Sequence, residues 1–304
     1  MKFYILIPVY NNIDVTMQCL RLLAMQTWQN FEVIVTDDGS TDGTSEAIAR
    51  QYPAVTVLLG DGNLWWTKSI NLALLRVLEY AADDDYILTL NNDVIFAEDY
   101  LANLVEAANQ RPDWLIGSVS LDQTDPQDVL DTGRYIDWRT RRFRMAKFQY
   151  GPYFNEETNC LSGRGMLIPV KAFRKVGTFN AARFPHYGAD TEFSIRASRE
   201  GFPLCVYYKV ILYSNRAISG LQFDPFMRLS LKDAWKMLIL NKSTVQVRTR
   251  WNLIWFCCPR RYLVRNLFWE ARTIFLIVTS IAPLWYVKMF FRPILERFRI
   301  KFVK

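Results

Sequence analysis

The feature that most constrains this chain is a rhythm over residues 1–120. Short apolar runs alternate with helix-like stretches, and polar segments follow the runs. Phe3-Tyr4-Ile5-Leu6-Ile7 reads as a buried strand stopped by Pro8. Asp14 to Met25 reads as a helix, with Asp14 as N-cap and Val15, Cys19, Leu22 and Leu23 near helical spacing. Further strands are expected over Phe31 to Thr36, Val55 to Leu59 and Tyr86 to Leu90. Further helices are expected over Thr44 to Gln51, Lys68 to Tyr80 and Glu98 to Gln110. This alternation predicts an α/β fold: a mostly parallel, Rossmann-like sheet with helices on both faces. Such sheets bind ligands beyond the carboxyl ends of their strands. The segments leaving those ends are Pro8-Val9-Tyr10-Asn11-Asn12, Thr36-Asp37-Asp38-Gly39-Ser40, Gly60-Asp61-Gly62-Asn63 and Asn91-Asn92-Asp93. Asp recurs in three of them, which makes this edge the expected functional site.

Composition removes several alternatives. An apolar share of 51% in 304 residues excludes a disordered chain. No apolar run reaches the roughly 18 residues of a spanning helix. The longest stretch, Thr273 to Val287, is 15 residues with Pro283 inside. The first apolar residues are expected to form a strand rather than a signal peptide. Five cysteines without C-x-x-C spacing point to a reducing compartment and no zinc site. One histidine leaves no Ser-His triad to build. Dinucleotide, P-loop and nucleophile-elbow motifs are missing; Ser162-Gly163-Arg164-Gly165-Met166 lacks the third glycine of the first. The net charge of +7 is unevenly placed: Arg248 to Lys304 carries 12 basic and 2 acidic residues, leaving 25 basic and 28 acidic for residues 1–247.

Each polar motif has two readings. Asp93 is either part of a capped turn or a ligand for a divalent metal, Mn²⁺ or Mg²⁺, that holds a diphosphate; such ions retain waters, so one carboxylate plus phosphates suffices. Asp37-Asp38-Gly39-Ser40 is an ordinary turn or an acceptor for ribose or base. Asp190 opens a helix expected over Thr191 to Glu200, as an N-cap or as a general base for a hydroxyl. His186 is a packed ring or part of an acceptor site. Trp65-Trp66 is core or a platform for sugar C–H faces, and Lys68 meets a phosphate or solvent.

Taken together, Ile7-Pro8-Val9-Tyr10-Asn11, Gln26-Thr27 to Val35, Asp37-Asp38-Gly39-Ser40-Thr41-Asp42 and Leu90-Asn91-Asn92-Asp93 resemble a family-2 glycosyltransferase of the GT-A fold. So do Leu161-Ser162-Gly163, Met166-Leu167-Ile168, Val176-Gly177-Thr178-Phe179 and Asp190-Thr191-Glu192-Phe193, and the likeness covers roughly residues 1–220. The resemblance implies inverting transfer from a nucleotide-sugar donor to a saccharide or lipid-linked acceptor, in cell-surface polysaccharide synthesis. It maps Pro8, Tyr10, Asp38, Asn63, Asn71 and Asn92 to the nucleotide, Asp93 to the metal and Asp190 to the catalytic base. His186, Trp65, Trp66 and Glu192 are assigned to the acceptor side. Asn91-Asn92-Asp93 is similar to bacterial rhamnosyltransferase-like members, which tilts the donor toward a dTDP-deoxysugar. The chain departs from the family pattern where Asn91 replaces the first acid of its D-x-D motif, Ala189 replaces the usual Glu before the base, Trp65-Trp66 replaces small residues, and Tyr213-Ser214-Asn215 stands where a metal-binding His is common. Asn91 and Ala189 motivate the alternative of a non-catalytic nucleotide-sugar-binding relative.

Two regions are expected: a GT-A domain over residues 1–225 and a helical, basic and aromatic extension over 226–304. The extension carries Trp251, Trp255, Trp269 and Trp285 among Arg260, Arg261, Arg265, Arg272, Lys288, Arg292, Arg297 and Arg299. That pattern suits a helix lying in an anionic membrane interface, or a helix packed on the domain with a solvated basic face. A nucleic-acid partner is not expected, because no recognition module accompanies the charge. The implied location is cytoplasmic, at the inner face of the membrane. Arg134 to Phe148 is expected to be a basic, aromatic hairpin or flap.

Overall fold

A computed structural model describes residues 1–215, 228–241, 243–281 and 285. Contact density divides them into two units. One holds residues 1–135, 144–185 and 189–215; the other holds 136–143, 186–188 and the described residues from 228 onward. The boundary expected at 225 lies outside the described residues, as do Lys288, Arg292, Arg297 and Arg299.

The first unit begins with β1 (Phe3–Val9), α1 (Ile13–Ala24), β2 (Phe31–Asp37), α2 (Thr44–Gln51), β3 (Thr56–Leu59), α3 (Trp65–Leu78), β4 (Tyr86–Thr89), β5 (Val94–Ile95) and α4 (Tyr100–Gln110). It continues with β6 (Leu115–Asp122), β7 (Val129–Asp131), β8 (Arg134–Asp137), β9 (Arg142–Met145), β10 (Phe154–Asn155), β11 (Met166–Pro169), α5 (Val170–Val176), α6 (Ala189–Arg199) and β12 (Leu204–Ser214), with residues 136–143 of β8, β9 and their turn counted in the second unit. The main sheet runs β10-β12-β6-β11-β4-β1-β2-β3. The β1–β2, β1–β4, β2–β3 and β6–β12 pairs are parallel, and β11 is the antiparallel strand between β4 and β6. The carboxyl ends of β1, β2, β3, β4, β6 and β12 therefore share one edge, and the loop entering β11 reaches that same edge.

The strands read as continuous apolar runs because helices cover both faces. Phe3, Ile5, Ile7 and Val9 pack with Cys19, Leu20 and Leu23 of α1 and Leu101 and Leu104 of α4. The alternate residues of β1 face α3, where the Tyr4 and Tyr80 rings meet edge-on at 5.6 Å. Pro8 is tolerated in this central strand because it lies past the last β4 pairing, Leu6 with Thr89. The expected hairpin is present as β8 and β9.

In the second unit, α7 (Leu231–Ile239), α8 (Val247–Cys257) and α9 (Leu263–Val278) enclose Leu229, Ala234, Met237, Val245 and Ile277. The hairpin tip joins this unit through Arg141, which donates to the Asn266 carbonyl at 3.1 Å and to Glu270 at 3.1 Å.

Candidate active site

Asp38 organises the first half of the site. It is buried at the end of β2, and one oxygen, Oδ1, accepts from the Gly62 N–H at 2.9 Å. The Leu64 N–H reaches both oxygens, and the Trp65 N–H reaches Oδ2 at 3.0 Å. These are donors at the start of α3 that no helical carbonyl can satisfy, so a carboxylate from another strand caps the helix. Trp65 takes a left-handed φ of 57° there, costly for a bulky residue. Asp37 instead serves its own turn, accepting from the Ser40 N–H at 2.8 Å and from the Ser45 hydroxyl.

Trp66, one residue on, links the remaining motifs. Its indole N–H donates to the Asn91 side-chain oxygen at 3.1 Å, and its ring meets Phe179 edge-on at 5.5 Å. The ring lies over Gly163 so closely that a Cβ there would come within 2.6 Å of it. The Gly163 N–H in turn donates to Asp190 Oδ2 at 2.8 Å, while Oδ1 accepts from the Thr191 N–H at 2.7 Å. Asp190 thus sits inside the first turn of α6, which begins at Ala189, and its carboxylate is aimed by a loop from elsewhere in the chain. The contacts run from Asp38 through Trp65 and Trp66 to Asn91, Gly163 and Asp190.

Asp93 differs from both other acids. Its Oδ1 is buried and has no hydrogen-bond partner. The hydroxyl of Ser214, at the end of β12, is equally orphaned, and Ser214 pairs with Val94, the neighbour of Asp93. Unpaired buried oxygens are expensive unless something binds them. Two hard oxygens fit Mg²⁺ or Mn²⁺, which complete their shells with water and phosphate. Among the described residues, no three His, Cys, Asp or Glu side chains gather as a metal cluster. Cys19 adjoins this place, with its thiol pushed up to about 12 by burial and then by the Asp93 charge, so it stays a neutral thiol.

The other expected site residues are placed as follows. Tyr10 is 54% exposed at the edge, and Asn63 is exposed on the loop that Asp38 holds. Asn92 donates to the Thr16 hydroxyl at 2.9 Å. Asn71 donates to the Phe179 carbonyl and accepts from its N–H, pinning the segment after α5. Glu192 is buried and both its oxygens bind Arg196, at 2.7 and 3.0 Å. His186 belongs to the second unit, in ring contact with Tyr187 at 4.6 Å. Arg164 was not among the expected site residues; its only sequence signal is an arginine between two glycines.

A parallel sheet whose carboxyl edge gathers these acids is the architecture of GT-A glycosyltransferases, and solved structures of that class share it. A GalNAc-T7 structure with UDP, GalNAc and Mn²⁺ matches with a TM-score of 0.59 at 11% identity, over 93% of this chain and 58% of that one. The mannosyltransferase PcManGT of Pyrobaculum calidifontis, with GDP-Man and Mn²⁺, matches with a TM-score of 0.56 at 15% identity, over 92% of this chain and 73% of that one. The profile of glycosyl transferase family 2 covers residues 4–177, and the chain belongs to that family. It is similar to the N-acetylglucosaminyl-diphospho-decaprenol L-rhamnosyltransferase of Mycobacterium tuberculosis, 27% identical over 81% of this chain and 84% of the relative. It is also 28% identical to the glycosyltransferase GlyG of Streptococcus pneumoniae, over 76% of this chain and 74% of that protein. The chain is a glycosyltransferase.

Proposed function

We propose that this glycosyltransferase moves a sugar, with inversion, from a nucleotide-sugar to a saccharide or lipid-linked acceptor. The observation that carries this reading is the Asp190 carboxylate, held by the Gly163 N–H beneath Trp66 and joined by contact to the Asn91-Asn92-Asp93 segment. Oδ2, which accepts only from the Gly163 N–H, has a second lone pair left for an acceptor hydroxyl, while Oδ1 takes the Thr191 N–H and, at 3.5 Å, its hydroxyl. Asp190 takes that proton as the hydroxyl oxygen attacks the anomeric carbon, and the bond to the diphosphate oxygen breaks on the opposite face. The sugar carbon passes through oxocarbenium character, as in glycoside hydrolysis. Holding both substrates in line supplies much of the rest. Asp93, with Ser214 beside it, would hold a divalent metal; when bound, that ion stabilises the leaving diphosphate. Pro8, Tyr10, Asn63 and Asn92 line the edge offered to the nucleoside, and Asp38 shapes the loop that borders it. The likeness to a rhamnosyltransferase supports a dTDP-deoxysugar as the donor and a lipid-linked saccharide as the acceptor.

The anionic membrane surface is the proposed partner of the second unit. Val264, Phe268, Phe275 and Val278 form one exposed stripe along α9, and Leu231, Trp235 and Ile239 form another on α7. Arg248, Arg260, Arg261 and Arg265 are exposed near them in sequence. Apolar stripes flanked by arginines suit the interface rather than the interior of a bilayer, and no described helix is long and apolar enough to cross one. Flotation with anionic vesicles tests this: binding at low salt that weakens at high salt is expected, and no binding removes the partner. The catalytic reading is tested by transfer from dTDP-rhamnose and UDP-sugars to a prenyl-diphosphate-linked GlcNAc. Asp190→Asn should lower transfer by orders of magnitude and keep nucleotide affinity.

A further inference from the structure

Arg164 stands out because it is mounted rigidly and left unpaired. The loop that bears it enters β11 between two glycines that tolerate no side chain. Gly163 lies against Trp66, as described. Gly165 has a φ of 77°, and a Cβ on it would come within 2.6 Å of Leu212, Ser118 and Tyr100. Its N–H donates to the Thr89 carbonyl at 2.9 Å, and its carbonyl accepts from the Ser118 hydroxyl at 2.6 Å. The Arg164 backbone is therefore fixed from both sides at the carboxyl edge of the sheet.

Its head group has little to hold. The Nε is buried with no hydrogen-bond partner, and one terminal nitrogen reaches the Ser120 hydroxyl at a long 3.5 Å. Half-buried arginines elsewhere in this unit have carboxylates: Arg196 has Glu192, and Arg111 has Glu156. Among the described residues Arg164 forms no ion pair. A guanidinium drawn out of water without a counter-charge is costly, and the cost is recovered only when an anion arrives.

The neighbours identify that anion. Ser120 on β6 registers with Leu212 on β12, and two residues further Ser214 pairs with both Asp122 and Val94. Arg164 Nε, Ser214 Oγ and Asp93 Oδ1 are thus three orphaned atoms on adjoining strand ends. A cation, a hydroxyl and a carboxylate on neighbouring strands of one sheet edge match a diphosphate that carries a divalent ion. The ion meets Asp93, and the phosphate oxygens meet the guanidinium fork. Asn91, whose amide is occupied by Trp66, places no second negative charge here.

We propose that Arg164 binds the diphosphate of the nucleotide-sugar donor, sharing its charge with the ion at Asp93. This rests on the transferase reading. It follows that part of donor affinity is independent of metal. The test is calorimetric titration of the full chain with dTDP, UDP, inorganic pyrophosphate and farnesyl diphosphate, in EDTA and in Mn²⁺. Arg164→Met should weaken the nucleoside diphosphates and pyrophosphate by roughly 10- to 100-fold in both conditions. Thymidine and uridine binding and the melting temperature should not change. Arg164→Lys should restore part of the loss, since it returns the charge without the fork. Asp93→Asn should remove only the gain that Mn²⁺ provides. Wild-type affinity in Arg164→Met, or an equal loss for the bare nucleosides, overturns the role. Loss confined to farnesyl diphosphate overturns the donor assignment in favour of an acceptor phosphate. A wild-type chain that binds no nucleoside diphosphate in either condition sinks the transferase reading instead.

Discussion

Each unit of the molecule buries a small group of charged side chains, and the two groups are finished differently. In the second unit, Glu270 is 1% exposed and receives Arg250 through two bonds, at 2.6 and 2.9 Å, and Arg141 through a third. Burial, with the neighbouring Arg250 charge, lowers the Arg141 pKa from its usual value. At the sheet edge of the first unit, Asp93, Arg164 and Ser214 each keep a buried atom without any partner. The first group is complete within the protein and holds the hairpin tip to α9. The second is left incomplete by the protein itself, as the proposed ligand site requires. Satisfaction of polar atoms, more than charge or burial alone, separates a structural cluster from a binding one.

This contrast can be broken by removing one member from each side. The largest expected effect is on chemistry: Asp190→Asn should lower transfer by roughly 10²- to 10⁴-fold, the usual contribution of a general base. Nucleotide affinity, followed by titration, should hold; equal loss of both would reduce Asp190 to a fastener for the Gly163 loop. Next comes Glu270→Ala, which strands two half-buried guanidinium groups and should cost up to about 3 kcal/mol of stability, less than a fully buried pair because both remain partly solvated. Denaturant unfolding followed by circular dichroism measures it. Replacing Asp93 by Ala should do the reverse, leaving stability unchanged or improved and removing Mn²⁺-dependent donor binding. If Asp93→Ala unfolds the protein as Glu270→Ala does, the distinction between the two clusters fails.

Much of the sheet was legible because parallel strands buried on both faces leave continuous apolar runs. Phe3–Val9 and Phe31–Asp37 extend the expected strands by one or two residues, and α2 falls at Thr44–Gln51 as read. The acids at the strand ends were legible for the same reason, since each follows a run directly. What stayed hidden depends on distant partners. Helix α3 starts at Trp65, three residues before the expected Lys68, because its cap is Asp38 on another strand. Asp14 was read as a cap, yet α1 begins at Ile13 after Asn12, whose φ of 63° makes the turn. Trp66 looked like core or platform, and it is a joint whose purpose appears only when Gly163 arrives from about 100 residues away. Arg164 read as a failed glycine motif for the same reason. No local pattern tells an unpaired arginine from a paired one.

The smallest expected effect concerns that joint. Trp66→Phe retains a ring against Phe179 and Gly163 and removes only the indole N–H. Asn91 then loses its partner in a half-buried place, which costs about 0.5–1.5 kcal/mol by the usual worth of one neutral hydrogen bond. The informative readout is kinetic. If Trp66 aims the Gly163 loop, and through it the Asp190 carboxylate, the variant should lower kcat several-fold while KM for the donor stays near the wild-type value. If Trp66 is only packing, melting temperature should fall with kcat unchanged. Asn91→Asp sharpens the result from the other side, because it keeps the acceptor for the indole and adds a negative charge next to Asp93. Donor binding in Asn91→Asp should become more dependent on Mn²⁺, since an extra carboxylate repels a diphosphate until the ion is present. Metal dependence unchanged in that variant would place the Asn91 side chain away from the phosphates, and leave Trp66 as its sole purpose.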